Sequence, residues 1–226
     1  MSTTAQSFGS PAGRRQFVND IYQLDEYIKR GNRGIDYKDT DSYDGTPYNN
    51  PSFLIGNVYS GNELLANNVA LRYNAVADEI EIKESLTTPD SEAKVLTKSP
   101  EIFVKIDQDI FVFVPYEGGI ESGGYFQVLL EDKKYDLFKK LIKDFRPLKK
   151  ASTSITRDIP ARFIDRPEYY IVTRSGKFYQ LPDKKSKFFR VFSENEQLVR
   201  DYVRDNGLNL DNEKDLIRLL RYYNSI

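Results

Sequence analysis

Between Phe53 and Val114, short apolar runs recur with polar residues at alternate positions, and the clearest case is Glu79-Ile80-Glu81-Ile82-Lys83. A repeat of two puts Ile80 and Ile82 on one face and the three charges on the other, which is the period of a strand half-buried in a sheet, not of a helix. Neighbouring runs rich in β-branched and aromatic residues are interrupted at Gly61-Asn62, Asn67-Asn68 and Pro89-Asp90. Such breaks supply turns, so the spacing predicts strands over 53–59, 63–65, 69–75, 79–83, 93–97, 102–106 and 110–114, joined as hairpins.

The pattern continues beyond a glycine-rich stretch at 118–124. Residues 125–131 and 135–142 are two further strands. The second is ambiguous in isolation, because Leu137, Phe138, Leu141, Ile142 and Phe145 also fit a helical stripe; its place after a run of hairpins assigns it to the sheet. Residues 168–174 and 177–181 form another hairpin across Ser175-Gly176.

Helices are expected at the two ends. Phe17, Ile21, Leu24, Tyr27 and Ile28 wrap onto one stripe of a helix over 14–30, and a polar loop over 32–52 follows. Near the other end, 184–192 reads as a short helix. Ser193 and Glu196 have the spacing of a capping box opening the next helix, with Leu198, Tyr202 and Val203 on its inner face and Asn206-Gly207 as its stop. In the last helix, over 211–223, Leu216, Leu219, Leu220 and Tyr223 share a face. The fold class expected is therefore α+β: an antiparallel β-meander or half-barrel with an N-terminal helix and C-terminal helices packed on it. Its segments are 1–52, 53–145 and 146–226, divided at the polar stretch after Arg146.

The chain contains no histidine, cysteine or tryptophan, yet has 16 tyrosines and 14 phenylalanines. Without imidazole or thiol there is no His-assisted serine or cysteine nucleophile and no Cys/His zinc cage. Carboxylates remain. Asp78, Glu79 and Glu81 would have to converge in one cleft to serve a hydrolase, whereas alternation with Ile80 and Ile82 puts Glu79 and Glu81 towards water. The run Asp36, Asp39, Asp41, Asp44-Gly45 is dense enough for calcium, but counted from Asp39 its fifth, sixth and twelfth positions are Tyr43, Asp44 and Asn50, so it reads as a solvated acidic loop. The glycines at 118–124 lack the Gly-Lys-Ser/Thr ending of a phosphate cradle. These readings describe a non-enzymatic protein with no cofactor and no metal.

Charge is nearly balanced overall but unevenly spread. Residues 1–131 hold 11 Lys/Arg against 20 Asp/Glu, and 132–226 hold 22 against 14. The two segments either solvate different faces or leave the basic one free to meet an anionic partner. Two binding patches are candidates. Arg72, Tyr73 and Asn74 combine a fork of donors, a ring and an amide, unless Tyr73 is core and its neighbours lie on a strand's outer side. Lys184, Lys185 and Lys187, interleaved with Phe188, Phe189 and Arg190, either present cations to an acidic protein or lipid headgroups or simply solvate a helix whose phenylalanines face the sheet. Balanced charge argues against nucleic acid. A carrier of a small apolar ligand is the alternative function, with Phe103, Phe111, Phe113 and Phe126 lining its cavity.

No window of the sequence is long and apolar enough for a transmembrane segment. The opening Ser2-Thr3-Thr4-Ala5-Gln6-Ser7 reads either as the end of a signal peptide around its cleavage point or as an ordinary frayed terminus. Gly56-Asn57-Val58-Tyr59, Leu71-Arg72-Tyr73-Asn74 with Asp78-Glu79-Ile80-Glu81, and the closing Leu219-Leu220-Arg221-Tyr222-Tyr223-Asn224 together resemble a group of uncharacterised exported proteins of Bacteroidota. The resemblance covers most of the chain from about Phe53 onward. It implies a periplasmic or cell-envelope location, with cytoplasm the alternative, and transfers no functional residue. The expected role is a protein-interaction or binding module with a protein partner.

Overall fold

A computed structural model describes residues 28–29, 43–115, 123–151 and 157–226. The helix expected over 14–30 lies outside these except at its end, where Ile28–Lys29 pair as a short strand (β1) with Leu96 and Val95. The chain divides into two compact units, one formed by 1–113 with 141–166 and the other by 114–140 with 167–226.

In the first unit the strands are β1, β2 (Tyr43–Asp44), β3 (Leu54–Ser60), β4 (Glu63–Asn74), β5 (Glu79–Lys83), β6 (Lys94–Leu96), β7 (Ile102–Ile106) and β8 (Asp109–Val114). Hydrogen bonding orders them β1-β6-β5-β4-β3-β7-β8, all antiparallel. A pure meander would put β7 beside β6. Instead β7 pairs with β3, so the link through 97–101 carries the chain past three strands. A second departure is β2, which runs parallel to the start of β11 (Ala161–Thr173), with Tyr43 opposite Ala161. The sheet is mixed, and the simple antiparallel meander is corrected on both counts.

Residues 63–65 and 69–75, expected as two strands, are one. Asn67-Asn68 does not end the strand but bulges it: Gly56 faces Val69 and Val58 faces Ala66, so two asparagines oppose the single Asn57. Asn68 takes the left-handed conformation that asparagine tolerates (φ 54°), and its N–H donates to Asn57 Oδ1 at 2.9 Å. Val58, Val69, Leu71, Ile80 and Val104 are fully buried in this unit, as the alternation required.

In the second unit β9 (Gly124–Leu130), residues 135–140 of β10 (Tyr135–Arg146), residues 167–173 of β11 and β12 (Phe178–Gln180) lie side by side, and the segment assigned to strand despite its helical stripe is β10. Leu137 and Phe138 point to opposite faces. On one face Phe138 joins Phe126, Tyr170 and Phe178 in a cluster with ring centroids 5.5–6.4 Å apart. On the other, Leu137 and Ile171 receive the helices α1 (Lys185–Phe188), α2 (Glu196–Asp205) and α3 (Glu213–Ser225) through Phe188, Phe192, Val199, Leu216 and Leu220.

Two sequence readings of the helices are corrected. A 3₁₀ segment, Phe189–Asn195, joins α1 to α2, and Ser193 within it has φ 48°, so its hydroxyl caps nothing and no capping box forms. Tyr202 and Val203 pack on the core as expected, but the third inner residue of α2 is Val199, fully buried, and not Leu198, which is exposed. Gly207 (φ 59°) ends α2 as expected. Asn212 caps α3 by accepting from the N–H groups of Lys214 and Asp215.

Candidate functional site

The basic segment 184–190 is built from its aromatics outward. Phe188, Phe189 and Phe192 are buried, and Phe192 meets Phe188 at 5.7 Å and the Tyr223 ring edge-on at 4.8 Å between centroids. Three rings fixed in the core set the path of a short helical turn, and its remaining side chains must face outward. Lys184, Lys185, Lys187 and Arg190 are all exposed, and none forms an ion pair among the described residues. The nearest carboxylates along the chain, Asp183 and Glu194, flank the segment without neutralising it. Four cations carried over seven residues on an ordered turn form a point of positive potential whose backbone path is already set before binding.

Arg72, Tyr73 and Asn74, on β4, are arranged differently. Arg72 is the cross-strand partner of Glu81 and gives it two N–H bonds, from Nε at 3.0 Å and Nη2 at 2.7 Å, while Nη1 reaches the Pro51 carbonyl at 3.0 Å. Its guanidinium carbon lies 3.7 Å from the centre of the Tyr48 ring and 4.1 Å from that of Phe53. Tyr73 is buried, stacks obliquely on Phe111 and donates to Asp78 Oδ1 at 2.9 Å. Asn74 is buried too, and its Oδ1 accepts from the N–H groups of Val76 and Ala77, forming the turn into β5. The trio therefore holds the β4–β5 hairpin and pins the 45–53 segment.

Lys83 corrects the reading of β5 as a strand with every charge in water. Its ammonium is buried, 2.8 Å from Asp90 Oδ1 and 2.7 Å from the Thr88 carbonyl, and 4.4 Å from the centre of the Phe53 ring. Alternation alone gives Lys83 the exposed face; only the return of 86–90 over the sheet brings oxygens to it. The Arg72–Glu81 pair was detectable in principle, since opposite charges equidistant from a hairpin turn face each other. The Tyr48 hydroxyl beside this pair is held above its ordinary pKa first by burial and then by the charge of Glu81.

The other candidates separate. Asp78 is bound to Tyr73 and lies 3.3 Å from Lys98, and Glu81 is bound to Arg72, so the β5 carboxylates do not face one another across a cleft. Asp36, Asp39, Asp41 and most of the 118–124 glycine run lie outside the described residues; among those described, no group of three metal-binding side chains occurs. Of the four phenylalanines proposed to line a cavity, Phe111 and Phe126 are closed inside the core, and Phe103 stacks on Tyr59 at 4.8 Å. An open polar cleft in the second unit is lined by Glu131, Asp132, Lys133 and Arg174, and Arg174 is tied to Asp136 and to the Lys133 carbonyl. No helix among the described residues is long and apolar enough to cross a membrane.

No protein-family model, curated protein or solved structure matches this chain.

Two outcomes follow from these contacts. Replacing Arg72 by alanine should cost about 3 kcal/mol in denaturant unfolding, because Glu81 is left shielded and unpaired. Arg72→Lys should recover little of this, since an ammonium neither lies flat between two rings nor gives two N–H groups to one oxygen. In the second unit, burial and then the neighbouring Glu213 push the Tyr169 hydroxyl up to about 12. Below the ordinary value of about 10 both folded and unfolded Tyr169 are neutral; above it only the unfolded form ionises, so stability falls as pH rises from 10 to 12. Tyr169→Phe should remove that part of the alkaline loss, read from melting temperatures across this range.

Proposed function

We propose that this protein is a non-enzymatic binding module of the bacterial cell envelope, which docks an acidic protein surface through Lys184, Lys185, Lys187 and Arg190. The observation that carries the reading is that these cations are exposed and unpaired on a turn anchored by buried Phe188, Phe189 and Phe192. By contrast, the donors of Arg72 and the carboxylates of Asp78 and Glu81 are engaged within their own unit. A carrier role finds less support, because Phe111 and Phe126 fill space that a ligand would need. The envelope location rests on the exported proteins that the chain resembles.

Charge should govern the encounter. Complementary charges at a rim mainly raise the association rate, and their effect weakens with salt. The triple variant Lys184→Glu, Lys185→Glu, Lys187→Glu should lose roughly tenfold or more in affinity for the companion that the wild-type protein retains from native envelope fractions. It should keep its melting temperature, because all three side chains are exposed and form no ion pair among the described residues. A companion held equally by wild type and variant, or one insensitive to salt, would place the docking surface elsewhere.

A further inference from the structure

We propose that Tyr202 and Tyr222, in the second unit, form an oxidative cross-linking site, at which a peroxide-driven one-electron oxidant of the haem peroxidase class joins the two rings by a carbon–carbon bond. Tyr202 lies on α2 and Tyr222 on α3. Their ring centroids are 3.8 Å apart and their planes are parallel within 2°, whereas every other contacting ring pair among the described residues is 4.7–6.5 Å apart. Aromatic pairs ordinarily settle offset or edge-on, at about 4.5–7 Å between centroids. A face-to-face stack this close puts ring carbons of one tyrosine within about 4 Å of those of the other, at van der Waals contact.

The helices hold the two rings in this register. Four residues after Tyr202 and four before Tyr222, Arg218 Nη2 donates to Asn206 Oδ1 at 2.8 Å, and Asn206 Nδ2 donates to the Tyr202 carbonyl at 2.9 Å. On the inner side of the same helices Val199, Leu219 and Tyr223 are buried. The backbone that carries each ring is thereby fixed, and only side-chain rotation is left to separate the pair.

Composition and exposure direct oxidation to this stack. Cysteine, histidine and tryptophan are absent and the one methionine is Met1, so tyrosine is nearly the whole store of readily oxidised side chains. A second stacked pair, Tyr135 and Tyr223, lies at 4.7 Å and 21° in the same unit. There Tyr223 is buried, and its hydroxyl is held above the ordinary tyrosine pKa first by burial and then by its hydrogen bond with Tyr135, which opposes loss of the proton that must leave with the electron. Tyr202 and Tyr222 are half-buried, and neither hydroxyl is hydrogen-bonded to another described residue, so both are open to oxidant and to water.

Each ring gives up one electron and its hydroxyl proton and becomes a phenoxyl radical. The two unpaired electrons form a bond between carbons ortho to the oxygens, and each bonded carbon passes its hydrogen through water to its own ring's oxygen, restoring both phenols. Two tyrosines and one hydrogen peroxide thus yield one dityrosine and two waters. The bond staples α2 to α3 in a chain that has no cysteine for a disulfide.

The test treats dilute full-length protein with a haem peroxidase and hydrogen peroxide. The monomer should gain dityrosine fluorescence and lose the mass of two hydrogen atoms, and its tryptic digest should contain Asp201–Arg204 joined to Tyr222–Ile226. Tyr202→Phe and Tyr222→Phe, which keep the stack, should each lower the monomer fluorescence about tenfold or more, while Tyr135→Phe and Tyr223→Phe should leave it unchanged. In denaturant the joined peptide should become a minor product among many. Circular dichroism checks that each variant is folded. The proposal is overturned if the folded monomer forms no dityrosine, if only intermolecular dimers form, or if the joined peptides contain Tyr135. It is likewise overturned if the Tyr202→Phe protein keeps the signal, or if the same joined peptide dominates in denaturant, since the stack would then not be its cause.

Discussion

Replacing Gly56 by alanine is expected to cost the first unit about 3–5 kcal/mol, enough to leave it largely unfolded in a protein of ordinary stability. A Cβ at this position would lie 2.3 Å from the Lys105 carbonyl oxygen and 2.7 Å from Leu71 Cδ1. The first is backbone in the adjacent strand β7 and can retreat only by parting the β3–β7 ladder, in which Gly56 faces Ile106. The second belongs to a fully buried leucine with no space to turn into. Backbone conformation is not the cause, since this glycine has no positive φ. The strands simply approach too closely for a side chain. Chemical denaturation followed by circular dichroism measures the loss. As a control, alanine at Gly61 meets nothing within 4 Å and bears only the strain of a φ of 55°, so it should cost about 1 kcal/mol. A Gly56→Ala protein that unfolds like wild type would mean that β3 and β7 are not paired in this register.

Phe192→Ala should destabilise the second unit by about 3–5 kcal/mol, the usual cost of deleting a buried aromatic ring. The ring is 2% exposed and lies between Phe188 and Tyr223, which in turn stacks on Tyr135 at 4.7 Å. Removing it leaves a void where α1, α3 and β10 meet. Its consequence reaches the proposed docking surface, because Phe192 is one of the three rings that fix the basic turn. Hydrogen exchange should therefore accelerate over 184–195 first, and companion binding should weaken although no cation has changed. Phe192→Leu fills most of the volume and should restore both. Lost stability with unchanged exchange over 184–195 would show that the turn is held by something other than its phenylalanines.

How much of this was legible in the chain depends on whether a feature is set by neighbours in sequence or by neighbours in space. Strands β5 and β7 were read with their bounds because period-two alternation reports local geometry. The last helix announced its buried face at Leu216, Leu219, Leu220 and Tyr223 for the same reason. Asn67-Asn68 was read as a break and is a bulge, since whether two asparagines end a strand or stay in it depends on Asn57 across the ladder. The capping box failed because Ser193, next to the buried Phe192, has a positive φ that the four-residue motif does not specify.

By itself, the sequence determined that this would be a sheet with helices near its end, that its phenylalanines at 188–192 would turn inward, and that Lys184, Lys185 and Lys187 would remain in water. Side-chain period and the cost of burying charge decide those matters locally. Only the tertiary structure decided that β7 would pair with β3, that Lys83 would be buried under the 86–90 segment, and that Arg72 would lie between Tyr48 and Phe53. Each of these depends on a group distant along the chain supplying the oxygen, ring or strand edge that makes the arrangement favourable, and no local pattern carries that information.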